Sequence, residues 1–178
     1  MTPKTSKSAA RIDQFPNFYR QTFAGSDNAV TWTEWVTGYS IKDGYAFILH
    51  KVKYRFTNGN ITSLDANADA LSAAISTNNS LTLSDMQLGI NSSLLDSCRV
   101  FYKVATAVGV ALSEFEFIHD FTNEPGGGRI VAPKPLYIGV GAGNLGSTPS
   151  CSMEIVYTMV KLNQEVYREL YESMNPNA

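Results

Sequence analysis

Lys51, Lys53 and Arg55, three cations at every second position, form the densest chemistry-bearing pattern in this chain. They lie in Gly44–Phe56, GYAFILHKVKYRF. On an extended chain alternate residues share a face. The three cations therefore point one way with Tyr45, Phe47 and Leu49, and Ala46, Ile48, His50, Val52, Tyr54 and Phe56 point the other. A helix would scatter the cations around its circumference, so period 2 is the better fit. Such a ladder can meet phosphates or an acidic partner surface, with Arg99 and Lys103 of another strand as candidate neighbours. It can equally be a solvated face with edge-protecting lysines. A second basic group, Lys4, Lys7 and Arg11, falls in the polar N-terminal arm.

The remaining motifs are weaker. His50 and His119 are the only histidines. His119 beside Asp120 could orient an imidazole for base catalysis. No Ser or Cys stands in a nucleophile elbow, however, and two histidines without clustered carboxylates make a poor metal site. Both are expected to be strand histidines with local hydrogen bonds. Gly141–Gly146 spells GxGxxG, but the Ser-Thr-Pro-Ser that follows opens no helix, and a dinucleotide site needs one there. The expectation is a glycine-rich hairpin loop. Gly126–Arg129 lacks the Lys-Ser/Thr ending of a phosphate loop and is expected to be a mobile surface loop. Cys98 and Cys151 fall mid-pattern in apolar strands and are expected to be small buried hydrophobes, with a disulfide left open. No cofactor, metal or small-molecule substrate is expected.

The elements that must position these residues read as strands. The chain has 178 residues, 44% hydrophobic and 17% charged, with nine Tyr and nine Phe. That suits one globular domain rich in β-structure. The net charge of −2 gives the whole molecule no reason to seek nucleic acid. Residues 1–27 are expected to form a mobile arm followed by a segment that docks on the core, and 28–162 the β-domain. Residues 28–37 alternate with a Trp on each face. Residues 69–77 fit a strand or a short helix, with strand preferred, and Met86, Leu88 and Ile90 make a brief alternating run. Residues 96–105, 108–121, 136–140 and 152–162 complete about eight strands joined by turns, an antiparallel sandwich or barrel. Asn163 can cap a terminal helix over 163–178, with Val166, Leu170 and Met174 on one side, broadened by Tyr167 and Tyr171. No apolar leader or membrane-length run is visible.

A short basic arm, about eight antiparallel strands and no catalytic set together resemble a single jelly-roll major capsid protein of a small icosahedral virus. The run FIHDFTNEPGGGRIVAPKPLYIGVG and the closing MEIVYTMVKL strand before an amphipathic helix are also similar to small virus-like sequences. The resemblance implies an eight-stranded all-β jelly-roll sandwich. It implies copies of the chain self-assembling into a shell around a genome, in a virion built in the host cytoplasm. Further coat proteins, viral nucleic acid or an inner membrane would be its other partners. Lys4, Lys7 and Arg11 would then face inward with Lys51, Lys53 and Arg55 as further genome or acidic-partner contacts. Trp35, Tyr45 and Tyr137, read as outward-facing, and the helix residues Val166, Tyr167, Leu170, Tyr171 and Met174 are the expected subunit contacts. The alternative is a trimeric ligand- or glycan-binding jelly roll, such as a phage fibre head or lectin-like module.

Overall fold

The computed structural model describes residues 10–11, 15–36, 45–56, 69–86, 91–102, 115–124, 127–131, 135–163, 165–166 and 168–169. Among them are eleven strands. They are β1 (Ala10–Arg11), β2 (Asn17–Ala24), β3 (Ser26–Asp27), β4 (Ala29–Trp35), β5 (Tyr45–Phe56), β6 (Asp69–Ser76), β7 (Leu94–Tyr102), β8 (Phe115–Asp120), β9 (Arg129–Val131), β10 (Leu136–Gly143) and β11 (Ser150–Lys161). Sheet A runs β1-β11-β5-β8, with β2 also on β11 and β9 also on β5; sheet B runs β3-β4-β10-β6-β7. Apart from a short parallel contact between β3 and β10, every pairing is antiparallel.

The pairing has a simple origin. Ala10 lies opposite Lys161, Trp35 opposite Leu136, Phe56 opposite Phe115, and Asp69 opposite Tyr102. Each of these pairs is centred on the Asp85–Met86 bond. The chain is thus one long antiparallel hairpin folded at that point, which then rolls up. Rolling adds β11 against β5 and β10 against β6. Eight longer strands in two sheets with this nested connectivity form a jelly roll, as the sequence led us to expect. β1, β3 and β9 are additions of two or three residues. The segment expected to dock ahead of the domain supplies a full sheet strand, since β2 pairs with β11 along its whole length.

Residues 69–76 form a strand because they fill the centre of sheet B. Leu71, Ala73 and Ile75 face the core between the sheets. Ser72, Ala74 and Ser76 face outward and are also buried. The small outward residues leave room for the bend of the long hairpin, whose Leu81 and Met86 pack on Ala74 and Leu94 as a second small core. Met86 is therefore a buried turn residue and not part of a strand; Leu88 and Ile90 lie outside the described residues. So does 108–114, and the strand expected over 108–121 is described from Phe115.

β5 holds a feature that alternation alone concealed. Lys51 pairs with Val156 but Leu49 pairs with Tyr157, so His50 is an extra residue opposite a break in register. Such a bulge moves every later side chain to the other face. Phe47 and Leu49 before it, and Val52, Tyr54 and Phe56 after it, all join the inter-sheet core. Ala46 and Ile48 instead cluster with Val160 and Leu162 on the outer side of sheet A. The apolar even-numbered positions are thus divided between two faces.

Candidate contact face

After the bulge, sheet A presents an outer surface of three short rows. One row is Thr22, Ser152, Arg55 and Glu116; the next is Arg20, Glu154, Lys53 and Ile118; the third is Phe18, Val156, Lys51 and Asp120. The inward side chains of the same strands, among them Phe23, Ile155 and Tyr54, are buried, so alternation fixes the outward set. Lys51 Nζ lies 3.3 Å from Asp120 and Lys53 Nζ 2.8 Å from Glu116. Arg20 pairs with Glu154, and the Thr22 and Ser152 hydroxyls are 2.7 Å apart. The cationic ladder is therefore interleaved with carboxylates from β8 and β11. Each such exposed pair contributes roughly 0–1 kcal/mol, so the interleaving governs recognition more than stability.

Asp120 has further support. It accepts hydrogen bonds from the Thr122 hydroxyl at 2.6 Å and the Thr122 amide at 3.0 Å. Those bonds, and then Lys51, hold its carboxyl down to about 2.

His119 does not use Asp120. Its Nδ1 lies 2.9 Å from both oxygens of Asp96, which is buried and also accepts the Tyr54 hydroxyl at 2.7 Å. Burial, then the Asp96 carboxylate, pushes the Tyr54 phenol well above its ordinary value. The trio ties β5 and β8 of one sheet to β7 of the other. The adjacency of His119 and Asp120 in sequence was misleading, because neighbours on a strand point to opposite faces. His50 bonds locally as expected, with Nδ1 2.8 Å from the Gly127 carbonyl and Nε2 2.9 Å from the Thr158 hydroxyl.

The glycine motifs are structural. Gly141–Gly146 carries the end of β10 in sheet B into a loop that crosses to β11 in sheet A, so it is not the hairpin loop expected; there Asn144 and Gly146 have φ of 58° and 68°. Asp27 accepts the amides of Leu145 and Gly146 at 2.9 and 3.0 Å. The anion this turn holds is the protein's own carboxylate. The described part of the loop before Arg129 is tied down, contrary to the mobile loop expected. Gly127 N–H donates to Glu124, whose carboxylate takes Arg129 at 2.6 Å, and Arg129 lies over Phe121. Cys98 and Cys151 are free and buried, each thiol pushed up to about 12 by burial first.

Of the expected contact residues, Trp35 needs correction. It is 3% exposed and packs against Tyr19, Phe47 and Tyr157 at ring separations of 5.2, 5.9 and 5.3 Å. A strand with a Trp on each face does not reveal which face is inside; here Trp35 is the core residue, while Trp32 lies on the outer side of sheet B. Tyr45 needs the same correction, since it is half-buried against the inter-sheet core on the side of Phe47 and Leu49, with Lys161 over its ring; Tyr137 is half-buried. Asn163 accepts the Val166 amide at 2.8 Å, as a helix cap does, and Glu165, Val166, Arg168 and Glu169 are helical. Val166 is exposed. Tyr167, Leu170, Tyr171, Met174, Lys4 and Lys7 lie outside the described residues, as does the Arg11 side chain. Sequence reading missed Arg20 and Glu154 as members of the face. Their alternation was visible, but their partnership across 134 positions was not.

No family model matches the chain, and no curated protein matches it. Among solved structures it is similar to one of Desmodium yellow mottle tymovirus, with 12% identity and a TM-score of 0.36 over 92% of this chain and 98% of that one. It is also similar to the infectious bursal disease virus VP2 subviral particle, with 13% identity and a TM-score of 0.32 over 94% of this chain and 38% of that one. T=1 particles derived from infectious bursal virus give 10% identity and a TM-score of 0.22 over 96% and 46%. This chain spans less than half of each bursal virus chain. The jelly-roll assignment rests on the strand pairing of this chain itself.

Proposed function

We propose that this chain is the repeating coat subunit of an icosahedral viral shell, a structural protein and not an enzyme. The observation that carries the reading is where its exposed apolar side chains sit on the jelly roll. Phe18, Ile118 and Ile130 lie on the outer side of sheet A, Phe15 just ahead of β2, Phe101 on the outer side of sheet B, Val36 just past β4, and Val166 in the terminal helix. A module with one partner gathers such residues in one patch. A subunit of a closed shell meets several neighbours, and dispersed small contacts suit it. The interleaved charges of the sheet A face favour a protein surface of matching pattern over bare polyanion. Genome contact falls to Lys4, Lys7 and Arg11 in this reading.

Electron microscopy of the purified full chain is expected to show closed shells. Removing 163–178 is expected to leave the β circular dichroism intact and abolish the shells. A full chain that stays monomeric at high concentration would overturn the reading, and unaltered shells from the truncated chain would remove the helix from the contact.

A further inference from the structure

We propose that the groove on the outer face of sheet B binds a carboxylate-bearing sugar, with Arg99 as the anchor for the carboxylate. This does not depend on the shell reading. The groove has a volume of about 670 Å³ and lies between the start of β4, the bend at 79–84, and Arg99. That is the size of a small-molecule site.

Its chemistry is defined by what lines it. Among the described residues that line it, Arg99 is the one with a charge and none carries a carboxylate. Nε of Arg99 is buried and has no hydrogen-bond partner among the described residues. Neither has the Ser72 hydroxyl, which is fully buried and belongs to the residue directly opposite Arg99 in the β6–β7 register. These are the two such side-chain atoms among the described residues, and the fold sets their residues side by side. Buried polar atoms are nearly always paired, so two unpaired ones on adjacent strands mark a place prepared for an acceptor. The guanidinium is also braced, 4.5 Å above the Phe101 ring, which fixes its plane. The planar fork of guanidinium N–H groups matches a carboxylate, which can accept two parallel hydrogen bonds.

The rest of the groove favours a sugar body over a bare anion. Trp32 lies flat over Gly139, where an added Cβ would come within 2.6 Å of the ring, and its N–H is taken by the Leu81 carbonyl at 3.0 Å. The indole therefore offers an apolar ring surface with no unmet polar demand. Asn79 and Ser80 add amide and hydroxyl groups along one wall. One cation balances one carboxylate, whereas a nucleoside polyphosphate brings several charges.

Tryptophan fluorescence tests the assignment, because the chain has two Trp and Trp35 is enclosed in the core. Titration of the full chain with 3′-sialyllactose is expected to give a saturable change with a dissociation constant on the order of 1 mM. Lactose, which lacks the carboxylate, is expected to give none, and inorganic sulfate is expected to bind more weakly. Arg99→Gln is expected to weaken binding roughly tenfold or more, with Arg99→Lys between it and the native chain. Circular dichroism checks that both variants are folded. The proposal is overturned if sialyllactose gives no saturable change, if lactose matches it, or if folded Arg99→Gln binds as the native chain does. Sulfate binding as tightly as sialyllactose would overturn the sugar assignment.

Discussion

Asp120 owes its low pKa to its neighbour Thr122 more than to the lysine it pairs with. A carboxyl held below its ordinary 3.8 contributes stability above that value and loses it as pH falls toward about 2. Thr122→Val keeps the amide bond and removes the hydroxyl, so the Asp120 midpoint is expected to rise toward 3.8, as carboxyl NMR titration would show. At the buried end of the same strand pair, Tyr54 and His119 converge on Asp96. Tyr54→Phe removes one hydrogen bond to a buried carboxylate and is expected to cost about 1.5–3 kcal/mol in urea unfolding. Asp96→Ala is expected to cost more, because it leaves both the phenol and the imidazole without their acceptor. His119 was recognisable as a strand histidine from its own surroundings. Asp96 was not recognisable as its partner, since nothing local joins positions 23 residues apart.

Sheet B depends on missing side chains. An added Cβ at Gly139 would come within 2.6 Å of the Trp32 ring, and at Gly141 it would collide with the Ala29 carbonyl. The ring can tilt but the backbone cannot. Gly139→Ala is therefore expected to cost roughly 1–3 kcal/mol and Gly141→Ala more, both read from denaturant midpoints. The glycines were visible in the sequence as a motif, and their reason lies in residues brought over them by the fold. β5 teaches the same lesson for register. Its length, its apolar character and its cationic end were legible from alternation, but the bulge at His50 was not. A bulge is defined by the partner strand, and β11 lies about a hundred residues further along the chain.

The whole molecule is a hairpin closed from its far ends, so β11 must reach β5, and β2 must reach β11, before sheet A is complete. Pairings of such sequence separation carry a loop-closure cost before they are rewarded. Refolding monitored by stopped-flow fluorescence is expected to take milliseconds to seconds, and microsecond folding would contradict the nested pairing as the rate-limiting event. At this scale the sequence by itself determined the class of structure: strands from period-2 patterning, turns from glycine, asparagine and proline, and an antiparallel sandwich from the lack of crossover helices. Only the tertiary structure decided which Trp is core, that Lys51 and Lys53 face carboxylates, and that Ser72 sits beside Arg99. Alternation assigns each residue to one of two faces, a property of a few neighbouring dihedrals. Which face turns inward, and what lies opposite, depends on strands that become neighbours only when the hairpin rolls.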